Sequence, residues 1–329
     1  MTRILTAALA GIAALGISLP IRGPHLPALS SAAGDSTPAR PAGRAADDVP
    51  TDVTMRNVDF HVGKDVVLHI RRLRGQMHGK NGVVDFDDIS SYEVAVSSAQ
   101  VGLSGEDLGN LLNHHVFAYP GAPLSDLRVQ TTRDGLRQTG VLHKGVDIPF
   151  DMTSSVSLTP DGRIQLHALH VSIFGVNGLV LMKALGLSLE KMIDLSHAHG
   201  ITIQGNDLFL DPLVLLPPPR IQGRITAVRV DGDQLVQTFG NPADSAALTA
   251  SMDPQVTNFM LYRGGVLHFT KLWMEDAEML VVDADPRTPF DFDNPNYRKQ
   301  LVAGRSRTLP DMGLEVWMPD ARSLGDRAP

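Results

Sequence analysis

Residues 174–193, FGVNGLVLMKALGLSLEKMI, read as a helix that carries three charges and is apolar over most of its girth. On a helical projection Leu179, Leu181, Met182, Leu185, Leu189, Met192 and Ile193 fill an arc of about 160°. Lys183, Glu190 and Lys191 sit opposite, with Val180 and Leu187 between them. Gly175, Gly178 and Gly186 each weaken such a helix by roughly 1 kcal/mol relative to alanine. A helix this apolar and this lightly built depends on tertiary burial, and its glycines give it room to shift.

The sequence on either side of it alternates with the period of strands. Asp-Gly pairs at 134–135, 161–162 and 231–232 lie between alternating runs, and Asp-Gly supplies the positive φ of tight hairpins. Val156 and Leu158 are expected to face Ile164, Leu166 and Ala168. The three hairpins together predict one long, curved antiparallel sheet. Further out, residues 53–103 and 258–284 also alternate, as in Val66, Leu68 and Ile70 against Val67, His69 and Arg71, which predicts a sheet with one wet face. A first helix begins at Ser104, with Asp107 three places on in the manner of a capping box. Leu108, Leu111, Leu112 and His115 then form a stripe, and the helix stops at YPGAP, residues 119–123.

At the N-terminus, Arg3 and the apolar run Ile4–Leu19 read as an export signal, with small residues for cleavage after Ala33. An uncleaved anchor is the alternative. Residues 34–52 are rich in Pro, Ala and small polar residues and read as a disordered linker. Residues 53–284 form one elongated α+β domain in this reading, and residues 285–329, dominated by Pro, Asp, Asn and Arg, a loosely packed extension. The localisation expected is exported, in the periplasm or cell envelope.

The 329 residues contain no cysteine, which excludes disulfides, thiol nucleophiles, cysteine-bound zinc and iron–sulfur clusters. A net charge of −7, with RRLR at 71–74 as the longest basic run, argues against a nucleic-acid surface. Histidine pairs occur at 114–115, 167 with 170, and 197 with 199. On a strand His197 and His199 share a face and could hold a metal, but no carboxylate completes a signature and no H-E-x-x-H motif occurs. Acidic clusters at 85–88 and 283–293 could supply a glycosidase pair or calcium ligands; their turn-like contexts favour solvated loops or sheet edges. There is no G-x-S-x-G elbow, no P-loop and no dinucleotide glycine fingerprint. The expectation is a protein that is not an enzyme and needs no cofactor.

What remains is the distribution of apolar residues, which fits a sheet around helices in two ways. Either the helices fill the interior, or they leave an elongated apolar groove, with Met152, Met182 and Met192 as an adaptable lining.

The succession SYEVAVSSAQVGLSGEDLGNLLN, RDGLRQTGVL, LTPDGRIQLHALHVSIFGVNGLVLMKALGLSLEKMI and GNDLFLDPLVLLPPPRIQGRITAVRVDGDQLV, over about residues 91–240, resembles the bacterial LmeA-like (DUF2993-type) envelope proteins of the tubular lipid-binding superfamily. The resemblance implies a long, highly bent antiparallel sheet wrapping an apolar helix, with acyl chains in the interior. The strands at 53–103 and 258–283 depart from the minimal domain and look like AsmA-type groove strands. It implies an exported protein that binds or shuttles phospholipid or a similar lipid, with transient contact to a membrane surface. Leu108, Leu111, Leu112, Phe174, Leu179, Met182, Leu185, Leu189, Met192 and Ile193 are the expected lining. The competing expectations are a structural envelope protein with a filled core, or a hydrolase with an unfamiliar site.

Overall fold

Alternation alone would put Leu68 and Ile70 on one face of their strand and Leu73 and Met77 on the other, yet all four are buried. In the computed structural model, a register shift between Ile70 and Arg72 against the neighbouring strand resolves the conflict. One inserted residue changes the phase of the side chains, so both apolar runs reach the same interior. The structure describes residues 49–325 apart from 64, 134, 179, 181–187, 242–255 and 310–311. The expected signal and cleavage site, most of the linker, and the core of the 174–193 helix lie outside the described residues.

The architecture is mainly antiparallel β-sheet, with short helices between strands. Numbered along the chain, the larger sheet runs β13 (Ile225–Asp231), β14 (Gln234–Gly240), β4 (Tyr92–Ser104), β2 (Val67–Gly79), β1 (Thr51–His61), β15 (Phe259–Arg263), β18 (Glu278–Asp283), β21 (Leu314–Met318) and β20 (Arg305–Thr308). β12 (Arg220–Gln222) also pairs with β4, and β19 (Phe290–Asp293) with β1, both in parallel. The second sheet runs β10 (Ile201–Gln204), β11 (Asp207–Leu210), β8 (Ile164–Ile173), β7 (Asp147–Leu158), β6 (Gly135–His143) and β5 (Leu124–Thr132), with β9 (Val176–Asn177) against β8. A small sheet joins β17 (Leu272–Glu275), β16 (Val266–Phe269) and β3 (Val84–Asp85).

Two hairpins form close to expectation. Leu158 pairs with Ile164 and Val156 with Leu166 across the Asp161-Gly162 turn, and Asp231 pairs with Gln234. In the third, Thr132 pairs with Gly135 itself, one residue earlier than expected. The single continuous sheet is corrected: β13 and β14 belong to the larger sheet, because β14 pairs with β4 from Gln234↔Ser104 to Gly240↔Ser98. The first strand starts at Thr51 rather than at 53.

The expected loose C-terminal extension is also corrected. Phe290 and Phe292 are fully buried, as is Met318, and β19, β20 and β21 are part of the larger sheet. The Pro- and Asp-rich stretch hides a short alternation, FDF, in which the Phe292 ring packs on both Phe60 and Phe290. At Asn57, where β1 changes partner from β15 to β19, the backbone turns to φ 56°. There the side-chain amide of Asn57 donates to Asn258 Oδ1 at 2.8 Å.

α1 (Gly105–Leu111) follows β4 directly and has the expected cap: the Ser104 side chain accepts from the Asp107 amide, and the Asp107 carboxylate accepts from the Ser104 amide at 3.0 Å. A wider helical turn, Leu112–Val116, continues it and ends before YPGAP. The helix packs close on β5, since a Cβ at Gly105 would lie 2.4 Å from the Val129 carbonyl oxygen. Asn113 secures this seam by donating to the Leu127 carbonyl at 2.7 Å and accepting from its amide at 2.9 Å. That pair satisfies the backbone where β5 is bulged between Ser125 and Arg128.

The 174–193 segment departs from one continuous helix. Phe174 and Gly175 form a turn with φ of 50° and 77°, joining Ile173 to its partner Val176 in β9. At the other end, Leu189–Met192 makes a single helical turn and Ile193 is extended.

Candidate functional site

Among the described residues, inward-facing side chains of these elements border three apolar cavities. The first, about 60 Å³, lies among β1, β2 and β4 and is closed by Leu216, Pro219 and Ile221. The second, about 80 Å³, lies between α1 and the second sheet, with Leu108, Leu111 and Leu112 on one side and Leu136, Leu166 and Leu208 on the other. The third, about 50 Å³, lies further along the same sheet, bordered by Ile148, Ile173, Leu189 and Met192. The second and third share Leu124, Phe150, Met152, Ile193 and Leu208, so they are neighbours along one apolar wall.

The polar content of these walls is small. Gln138 enters the second cavity, 7% exposed, and exchanges hydrogen bonds with fully buried Ser154 at 3.1 and 3.3 Å. Gln237 and the phenols Tyr92 and Tyr262 border the first. Burial pushes both phenols above the ordinary tyrosine range, so they stay neutral. Hydrocarbon walls with so few hydrogen-bonding groups leave water without the two to four partners it needs, and such cavities stay dry.

Of the expected lining, Leu108, Leu111 and Leu112 border the second cavity, Leu189 and Met192 the third, and Ile193 both. Leu179, Met182 and Leu185 lie outside the described residues. Phe174 is a correction: it is 66% exposed, because the left-handed turn at 174–175 carries its ring away from the interior. The first cavity had not been anticipated, although the alternation of β1 and β2 marks its residues as inward. Phe150 and Leu208 had also been missed; their strands begin with polar or Pro-containing sequence that masks the pattern.

Several of the polar candidates meet partners within the protein. His197 packs edge-on to Tyr119, with centroids 6.0 Å apart, and sits in a turn rather than a strand. His114 meets Asp65 and His167 meets Asp207. Asp85, Asp87 and His268 bring one ligand atom each to within 4.8 Å of one another. Asp85 already accepts from His268 at 2.8 Å and from the Asp87 amide at 2.9 Å. Asp87 is held by Arg298 at 2.7 Å and by the Tyr297 hydroxyl. Burial opposes its ionisation, but those hydrogen bonds hold the carboxyl below the usual range.

The expectation that the 283–293 acids are solvated is corrected for Asp283 and Asp291, while Asp285 and Asp293 stay partly exposed. Asp283 and Asp291 are 3% and 6% exposed. Asp283 accepts from Asn258 at 2.9 Å. Asp291 accepts from His61 at 2.6 Å and from the Arg322 amide at 2.8 Å. Asp320 receives the Asp291 amide at 2.8 Å, and burial raises its carboxyl above the usual range. These groups fasten the C-terminal segment to β1.

Among the described residues no helix is long and apolar enough to cross a membrane. No protein-family model, curated protein or solved structure matches the chain.

Proposed function

We propose that the chain binds an acyl lipid, a phospholipid or similar molecule, in the apolar tract along the second sheet, and that it does so as an exported envelope protein that holds or transfers such lipids. The observation that carries this reading is the pair of neighbouring hydrocarbon-lined cavities along the second sheet, with five lining residues in common. Empty apolar volume is costly: at ~24 cal/mol per Å³, a void of 80 Å³ removes about 2 kcal/mol. A hydrocarbon guest recovers that loss, at about 0.8 kcal/mol per methylene buried.

The volumes are smaller than the roughly 300 Å³ at which ligand pockets begin. A guest chain therefore spreads its walls, and the flexible thioethers of Met152 and Met192 suit that role. Gln138 is a polar side chain on an otherwise hydrocarbon wall, and the amide N–H it does not give to Ser154 would serve an ester or carboxyl group. In this reading the tubular wrapping of sheet around helix, implied by the family resemblance, is the arrangement that shelters the chain.

The test is organic extraction of protein purified from its native host, followed by mass spectrometry. The expected result is acyl lipid in near-stoichiometric amount. A clean extract, together with no uptake of a monomeric fluorescent fatty acid by the purified protein, would sink the reading in favour of a filled structural core.

A further inference from the structure

Four large apolar side chains crowd one end of the second sheet while pointing out of the protein. Val146 is 65% exposed, Phe174 66%, Val176 59% and Val180 65%. The strand register brings Val146, Phe174 and Val176 to the same end, and the Val180 amide donates to Asn177 Oδ1 at 3.2 Å, which keeps Val180 beside them. β6 and β7 close at residues 144–146, where His143 pairs with Asp147. β8 ends at Ile173, opposite Phe150 of β7, and turns at once into β9. Both turns are therefore at the same end of the same sheet.

The turn at Phe174-Gly175 is the telling one. Its two central residues have φ of 50° and 77°, the combination for which Asn-Gly is the favoured pair. A bulky residue in that left-handed conformation is an outlier that costs stability. Phe174 accepts the cost and gains little internal packing in return, since most of its ring faces solvent. Strain combined with exposure of an aromatic ring points to a partner outside the chain.

We propose that this end of the sheet docks on the surface of a lipid bilayer, with the Phe174 ring and the three valines entering the acyl boundary. The proposal rests on the acyl-lipid reading above and extends it to the place where lipid enters. Two features favour a bilayer over a protein partner. Four apolar side chains are far fewer than the roughly 20–30 residues that a stable protein interface takes from each side. They also come from two separate stretches of chain, 146 and 174–180, which suits a fluid acceptor needing no complementary shape. In addition the apolar surface is continuous with the interior: Ile173, next to Phe174, and Ile148, two residues from Val146, border the third cavity.

The experiment is co-sedimentation with vesicles of pure phosphatidylcholine, using the full chain and its Phe174→Asn and Val146→Asn variants. Asparagine suits the left-handed turn, so Phe174→Asn should melt at the same or a higher temperature than the parent. It should partition to vesicles about 10–30-fold less, and Val146→Asn about fivefold less. Uptake of a monomeric fluorescent fatty acid should be unchanged in both variants, since neither residue borders a cavity. Parent protein that fails to sediment with vesicles, or a Phe174→Asn variant that sediments equally well, overturns the docking proposal. Loss of sedimentation in Phe174→Asn supports docking even if the parent takes up no fatty acid, a pattern that would remove the cavity reading instead.

Discussion

Truncating Asp107 to alanine should lower the free energy of unfolding by about 3–5 kcal/mol. This carboxylate is 5% exposed and serves four donors at the junction of sheet and helix. It accepts from the Val67 amide at 2.8 Å, the Ser104 amide at 3.0 Å and the Ser104 hydroxyl. It also faces His69 Nε2 at 3.3 Å, while His69 Nδ1 meets Asp59 at 2.8 Å. Alanine would leave two backbone amides without their acceptor and dissolve the cap of α1. It would also leave the imidazole with one carboxylate instead of two.

The same cluster makes stability depend on pH in a definite direction. Hydrogen bonds to Asp107 and then to Asp59 raise His69 from 6.5 to about 9, against a smaller opposing effect of burial. A group raised on folding contributes fully below its unfolded value and loses that contribution as pH climbs through its folded value. Stability should thus fall between about pH 6.5 and 9, by about 1–2 kcal/mol once the partial exposure of the ring is allowed for. On the acid side burial opposes ionisation of Asp107, yet the hydrogen bonds from His69 and Ser104 hold its carboxyl below the usual range. That contribution is lost as the pH falls through the carboxylate range. Urea titrations at a series of pH values check both limbs. His69→Gln should flatten the alkaline limb, and an unchanged alkaline slope in that variant would refute the assignment.

The cap at Ser104 and Asp107 was legible because its two partners lie three residues apart, and the Asp-Gly hairpins for the same reason. Long-range pairings were not. Nothing local reveals that β14 joins β4, more than a hundred residues earlier, so the hairpin at 225–240 was assigned to the wrong sheet. The buried acids show the same limit: Asp283 and Asp291 look solvated beside Pro and Arg, while their partners Asn258 and His61 lie elsewhere in the chain. Phe174 misled for a different reason. It fits an apolar helical stripe by spacing, but the glycine after it permits a left-handed turn that sends the ring outward. The lining residues of α1 were found because a capped amphipathic helix must bury its stripe, and the stripe here faces the second cavity.

Ile193 decides between a sheltered acyl chain and a filled core, because it borders both the second and the third cavity. Ile193→Phe adds three carbons at that junction and introduces no polar atom that would need a partner. If the tract holds a guest, the ring takes space otherwise open to it, and the lipid-free variant should unfold within about 1 kcal/mol of the parent. Excluding about three methylenes at 0.8 kcal/mol each should then weaken fatty-acid uptake about 50-fold. A core already closed around its own side chains behaves in the opposite way: the ring must displace neighbours such as Met152 and Leu208, which costs about 1–3 kcal/mol. Paired measurements of melting and of fatty-acid affinity on this one variant therefore move in different directions under the two readings. Large destabilisation with no affinity to lose would exclude the tract as a binding site. A stable variant that no longer takes up the probe is the outcome that adjacent apolar cavities of about 80 and 50 Å³ lead us to expect.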